Sequence, residues 1–149
     1  MNKKNYTPKL IKFKKYKDKS GYLIPFEYTK KNLSKGNLLP FKIKRVFFSS
    51  GIKNYFRGNH AHKKCTQLLV CLSGRILIET IYGHSSKKFT IDSKSNKALL
   101  IPPMVWNKIF FKIPNSLMAV FCNYKYDFQK EYINNFSQFQ KLSILKKNK

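Results

Sequence analysis

Arg57-Gly58-Asn59-His60-Ala61-His62-Lys63-Lys64 runs without a break into Cys65-Thr66-Gln67-Leu68-Leu69-Val70-Cys71-Leu72-Ser73-Gly74. Two of the three histidines of the chain stand one residue apart, at the entrance to an apolar run. Residues i and i+2 of a strand point to the same face. A strand here therefore puts both imidazoles on one surface, and imidazole takes up and releases protons near neutral pH. Six residues separate Gln67 from Gly74, a turn signal that ends the strand.

The rest of the chain repeats the pattern of short apolar runs cut by turn signals. Strand-like runs cover Leu10 to Phe13, Gly21 to Tyr28, Phe41 to Ser49, Gln67 to Leu72 and Arg75 to Ile81. They continue through Lys88 to Ile91, Ala98 to Ile101, Trp106 to Phe111 and Leu117 to Cys122. Ser73-Gly74, Tyr82 to Ser86, Asp92 to Asn96 and Pro102-Pro103 mark turns between them. Strands this short and this closely spaced predict an antiparallel sandwich or barrel. From Asp127 onward Tyr132, Ile133, Phe136, Phe139 and Leu142 recur every three or four residues, which predicts a C-terminal amphipathic helix. At 149 residues, with 42% hydrophobic and 15% aromatic side chains, the chain reads as one globular domain over 1–149, its core at about 9–140.

Composition excludes several classes. No apolar run reaches the roughly 18–20 residues of a membrane span, and no apolar stretch of signal-peptide type follows Met1. Cys65, Cys71 and Cys122 lie in apolar stretches and are odd in number, so buried, reduced thiols and a cytoplasmic location are expected. The net charge is +25, yet only Arg45, Arg57 and Arg75 among the 31 basic residues are arginines. Base and phosphate recognition favours the guanidinium fork, so no nucleic-acid partner is expected. The lysines read as a solvated surface, with attraction of an anionic small molecule such as a nucleotide as the alternative. His84 sits in a Gly/Ser turn and reads as a surface residue.

The spacing His60-x-His62, Gln67, Gly74, with Ile101-Pro102-Pro103-Met104-Val105-Trp106-Asn107 downstream, resembles the two motifs of the cupins. That resemblance implies an all-β fold, a small β-barrel or jelly roll, with the C-terminal helix appended. Gln67 stands at the cupin glutamate, Met104 at the second-motif glycine and Asn107 at its histidine. Two imidazoles and two neutral amides are a poor donor set for a divalent transition metal, so neither metal nor cofactor is expected. Two imidazoles without a metal suit general acid–base chemistry.

Lys44-Arg45-Val46-Phe47-Phe48, the Arg57 to Lys64 block, Gln67 to Gly74, Ile91-Asp92-Ser93, Ile101 to Trp106 and the ending Tyr124-Lys125-Tyr126-Asp127 with Glu131-Tyr132-Ile133 carry a closer likeness. Over residues 9–140 the chain resembles the WxcM-like nucleotide-sugar 3,4-ketoisomerases. The resemblance implies metal-free movement of the ketone of dTDP-4-oxo-6-deoxyglucose from C4 to C3 through an enediol. The product would be a deoxyamino-sugar precursor for a surface polysaccharide. It makes His60 and His62 the catalytic pair, with His62 assigned to the carbon-bound proton and His60 to the hydroxyl protons. Arg57 is expected on the diphosphate or sugar, with Arg45 and Lys63 as further candidates for the anionic ligand. Gln67 would orient an imidazole or bond a sugar oxygen, and Asn107 would shape the sugar pocket, leaning to the galacto product. Relatives often carry tyrosines where Phe47 and Phe48 stand. The family also implies a homodimer that exchanges N-terminal strands. The alternative is a cupin that binds a nucleotide sugar without turnover.

Overall fold

Alternation of half-buried and exposed side chains along Arg45–Ser50 marks the simplest strand of the chain. The computed structural model describes residues 7–28 and 37–145. In chain order the strands are β1 (Lys9–Lys12), β2 (Tyr16–Asp18), β3 (Gly21–Leu23), β4 (Phe26–Glu27), β5 (Asn37–Leu38), β6 (Arg45–Ser50) and β7 (Phe56–His62). There follow β8 (Gln67–Ser73), β9 (Arg75–Tyr82), β10 (Ser85–Asp92), β11 (Lys97–Ile101), β12 (Trp106–Phe111) and β13 (Leu117–Cys122). Helix α1 (Phe128–Glu131), strand β14 (Tyr132–Ile133) and helix α2 (Phe136–Leu145) complete the described chain.

Two five-stranded sheets carry the fold, in the orders β1-β11-β8-β13-β6 and β10-β9-β12-β7-β14. Every ladder within them is antiparallel. The sheets face each other across a core that includes Leu69, Ile76, Ile78, Ile91, Leu99, Ile109, Phe111, Met118 and Val120. This is the sandwich form of the expected all-β architecture; among the described residues the pairing leaves two sheets and does not close into one barrel.

Both outer faces are also covered, which explains why β8 and β13 read as continuous apolar runs. Leu68, Val70 and Ala98 point out of the first sheet and are buried under Phe13, Leu39 and their neighbours. Ala61 and Trp106 on the outside of the second sheet pack with Met104, Ile133 and Phe139 of α2. Gly74 is demanded by sterics: its φ is +77°, and an added Cβ would lie 2.2 Å from Ser116 Oγ. The β8–β9 turn therefore needs the motif glycine.

The C-terminal segment departs from the single helix that its spacing predicts. Asp127 caps α1 by accepting from Lys130 N at 3.1 Å, and the helix lasts only four residues. Tyr132 and Ile133 then pair with His62 and Ala61 as a fifth strand of the second sheet. The helix resumes at α2, where Asn135 Oδ1 accepts from Gln138 N at 2.9 Å. Tertiary pairing has overridden the local period: Ile133 faces the outer core with Phe139, whereas Tyr132 faces the histidines.

At the other end, β1 pairs with β11 of the same chain. The β2–β3 hairpin stands clear of the sandwich, with Tyr22 and Leu23 exposed.

Candidate active site

A bulge in β7 decides which side chains meet. Asn107 of β12 pairs with His60, but Lys108 pairs with Gly58, so Asn59 is the extra residue. Gly58 and Asn59 both have positive φ, 78° and 62°. In an unbroken strand Arg57 and His60 would point to opposite faces. One inserted residue puts them on the same face, and both line a cavity of about 180 Å³ between the sheets. The bulge tolerates only glycine at its first position: a Cβ on Gly58 would lie 2.8 Å from Asn107 Oδ1 and 3.0 Å from Asn107 O.

The cavity wall is polar on one side and apolar on the other. Ser49, Arg57, His60, Gln67, Asn107 and Tyr132 supply the polar groups, and Leu69, Ile109, Met118 and Val120 supply much of the remainder. Arg57 Nε donates to Ser50 O at 3.3 Å, tying β7 to the end of β6 at the cavity mouth. Asn107 is buried and its Nδ2 donates to His60 O at 3.2 Å, so it holds the bulge as well as lining the cavity. Gln67 Nε2 is turned to Cys122 Sγ at 3.9 Å, which leaves Oε1 as its remaining acceptor.

The two histidines have different surroundings. His60 is half-buried, and its Nδ1 lies 3.1 Å from Gly58 O. A carbonyl only accepts, so Nδ1 carries the hydrogen and Nε2 carries the lone pair. Burial, with a contribution from the Arg45 charge, holds the His60 pKa below its usual value and keeps the ring neutral near pH 7. His62 does not line the cavity. It is 3% exposed, and neither ring nitrogen has a partner among the described residues. Burial first, then the neighbouring His60 and Arg45, push its pKa down to about 3. The ring stands edge-on to His60 at 5.0 Å between centroids and packs at 4.4 Å on Tyr132. The expected shared face is present, but only His60 reaches the space where a ligand can sit.

Arg45 and Lys63, expected on the ligand, lie outside the cavity lining. Arg45 sits behind the wall: its Nη2 donates to Cys122 Sγ at 3.6 Å, and the guanidinium lies over Phe47 and Tyr126. The Cys65 thiol and the Arg45 charge together lower the pKa of Cys122. Lys63 belongs to the loop leaving β7, where its N donates to Glu131 O at 2.9 Å. Glu131 is buried, and its Oε1 accepts from Lys64 N and Cys65 N, so one carboxylate clamps that loop. Of the phenylalanines at the tyrosine positions of relatives, Phe47 lines the cavity and Phe48 is exposed. Met104, at the second-motif glycine, keeps a positive φ of 61° and donates its N–H to His62 O at 2.7 Å. His84 is exposed, as expected. Among the described residues no cluster of three His, Cys, Asp or Glu side chains is placed to hold a metal ion.

Tyr132 is the cavity residue that sequence reasoning did not place in the site. Its ring packs at 4.8 Å on His60, and the Arg45 charge acts on its hydroxyl. Burial raises the phenol pKa and Arg45 opposes the rise.

The family model described as "FdtA: WxcM-like, C-terminal" matches residues 6–143. The chain belongs to this family. It is 34% identical over 134 residues to the TDP-4-oxo-6-deoxy-alpha-D-glucose-3,4-oxoisomerase of Aneurinibacillus thermoaerophilus, covering 89% of this chain and 90% of that one. Its fold is similar to that of the 3,4-ketoisomerase QdtA from Thermoanaerobacterium thermosaccharolyticum in complex with TDP. That match has a TM-score of 0.81 and 30% identity, and covers 95% of this chain and 98% of that one. A histidine-to-asparagine variant of QdtA in complex with TDP-4-keto-6-deoxyglucose matches with a TM-score of 0.80 at 30% identity, over 93% and 94% of the two chains. The cavity of this chain gathers Arg57, His60, Gln67 and Asn107 from three strands.

Proposed function

We propose that this chain, a sugar-nucleotide 3,4-ketoisomerase by family, moves the ketone of TDP-4-oxo-6-deoxyglucose from C4 to C3. His60 is the carbon acid and base. The observation that carries this reading is the hydrogen bond from His60 Nδ1 to Gly58 O, which leaves a neutral Nε2 on the cavity wall. The proton on C3 is acidified by the adjacent carbonyl. Nε2 takes it, an enediol forms, and the same nitrogen returns the proton to C4. The roles of the two histidines are thus the reverse of the expected order, because His62 lies behind the wall. His62 acts on His60 by packing.

The cavity is smaller than the clefts that enclose whole ligands of several hundred Å³. It takes the sugar, with the nucleotide lying toward the mouth, where the Arg57 fork suits the diphosphate. Three buried free cysteines support a reducing, cytoplasmic setting, and no helix among the described residues is long and apolar enough to cross a membrane. β1 is paired inside the chain, so the exposed Tyr22 and Leu23 of the β2–β3 hairpin are what support a homodimer that exchanges N-terminal strands; sedimentation as a 17.6 kDa species would remove that proposal.

The test is incubation with TDP-4-oxo-6-deoxyglucose in deuterated water, followed by NMR. A 3-oxo product is expected, with deuterium at C4 in the fraction of turnovers in which the proton on His60 exchanges before it is returned, and the C4 configuration reads whether the product is galacto, as Asn107 suggests. Tight binding of the nucleotide sugar with neither label nor product would replace the isomerase by a non-catalytic binding protein.

A further inference from the structure

We propose that Tyr132 is a second catalytic residue, relaying the proton between O3 and O4 of the sugar while His60 serves the carbons. The proposal rests on the ketoisomerase reading above.

Moving a ketone from C4 to C3 requires two proton transfers at carbon and two at oxygen. His60 can serve the carbons. His62, the expected oxygen carrier, is buried outside the cavity with no hydrogen-bond partner among the described residues. The oxygen carrier must come from another group on the wall. The Gln67 and Asn107 amides do not ionise, the Ser49 hydroxyl is a far weaker acid than a phenol, and Arg57 stays protonated. Tyr132 remains, 4.8 Å from His60 between ring centroids and lining the same cavity.

Its surroundings suit the task. The Arg45 charge acts on the Tyr132 hydroxyl from behind the wall and opposes the rise in its pKa that burial causes. Arg45 is itself held by Cys122 Sγ and by the faces of Phe47 and Tyr126. The cation offsets part of the cost that burial sets on a transient phenolate.

The step balances without an outside oxidant. As the C3–H bond breaks to His60 Nε2, its electrons form the C3=C4 bond. The O4 oxygen takes the phenol proton, leaving an enediol, an imidazolium and a phenolate beside Arg45. The O3–H bond then breaks to the phenolate, C3=O forms, and C4 takes the proton held by His60. Both side chains end as they began.

Tyr132→Phe keeps the ring and removes the relay. It should lower kcat by about 100-fold or more, the usual scale of general acid–base contributions, with KM and thermal midpoint near those of the wild type. Replacing Tyr132 by difluorotyrosine, which lowers the phenol pKa and keeps the hydroxyl, should restore turnover and move the alkaline limb of the kcat–pH profile to lower pH. A purely structural tyrosine would not move that limb. A kcat for Tyr132→Phe within tenfold of the wild type, or an alkaline limb that stays in place with difluorotyrosine, overturns the proposal. A wild-type protein that does not convert TDP-4-oxo-6-deoxyglucose fails at the level of the reaction, and both readings fall together.

Discussion

Acidification should unfold this protein through His62, and the size of the effect follows from its burial. An unfolded histidine titrates near 6.5, whereas in the fold His62 stays neutral down to about 3. Between those values the unfolded chain binds a proton that the native chain refuses, so stability is complete above about pH 6.5 and is lost as the pH falls toward 3. A difference of roughly 3.5 pH units at about 1.4 kcal/mol each amounts to about 5 kcal/mol, of which about 3 kcal/mol is gone by about pH 4. That is a large part of the total for a domain of this size. The perturbation is His62→Phe, which fills the ring volume and removes two nitrogens that have no partner among the described residues. The assay is urea unfolding of both proteins across this pH window. His60 and the six carboxylates titrate in both, so to first order their share cancels in the difference. The stability difference should shift by about 3 kcal/mol in favour of the variant between about pH 7 and about pH 4. Parallel curves for the two proteins would refute the reasoning, since they would mean that His62 is protonated in the fold as readily as in the open chain.

His60→Asn should lower turnover by about 10²–10⁴-fold, and wild-type kcat/KM should rise with pH through a group titrating below 6.5, because burial favours the neutral base; an acid limb above that value would contradict the assignment. Gly58→Ala should destabilise by roughly 2 kcal/mol, the scale of a strained left-handed residue, because its Cβ meets Asn107 at a φ of +78°; an unchanged melting curve would disprove the account of the bulge. Arg57→Gln should raise KM by about 10–100-fold, the loss of one charge-assisted hydrogen bond, with kcat nearly unchanged. Equal loss in kcat would place Arg57 on the reacting sugar instead.

Much of the sandwich was readable because its strands advertise their surroundings. β6 alternates, and β13 and the Leu68–Leu72 run of β8 are apolar because both of their faces are covered. The C-terminal helix is legible in the tail but its start is not: residues 132 and 133 share the helical spacing of 136, 139 and 142, yet pair with β7 as β14. In the site, the spacing of His60 and His62 told their face but not their depth. Depth depends on Tyr132, which arrives from far along the chain; Glu131-Tyr132-Ile133 carries part of the family likeness, but nothing local ties it to the histidines. The bulge did leave a mark: Gly58-Asn59 inside a strand is the composition that a bulge requires. Reading it would have put Arg57 beside His60. Arg45 and Lys63 were drawn in by charge and proximity to the motif, yet packing turned one behind the wall and left the other in a loop clamped by Glu131.

The attachment of Tyr132 to the C-terminal segment gives the site an order of assembly. Protein synthesis delivers the N-terminal parts first, so the strands bearing Arg57, His60, Gln67 and Asn107 exist before the residue that completes their wall. A sandwich that has already folded is then still an unfinished enzyme. Its last wall is laid when β14 pairs with β7 and Phe139 seats against Trp106. Docking of a helix on the outer face thereby becomes the event that separates a folded chain from a competent one.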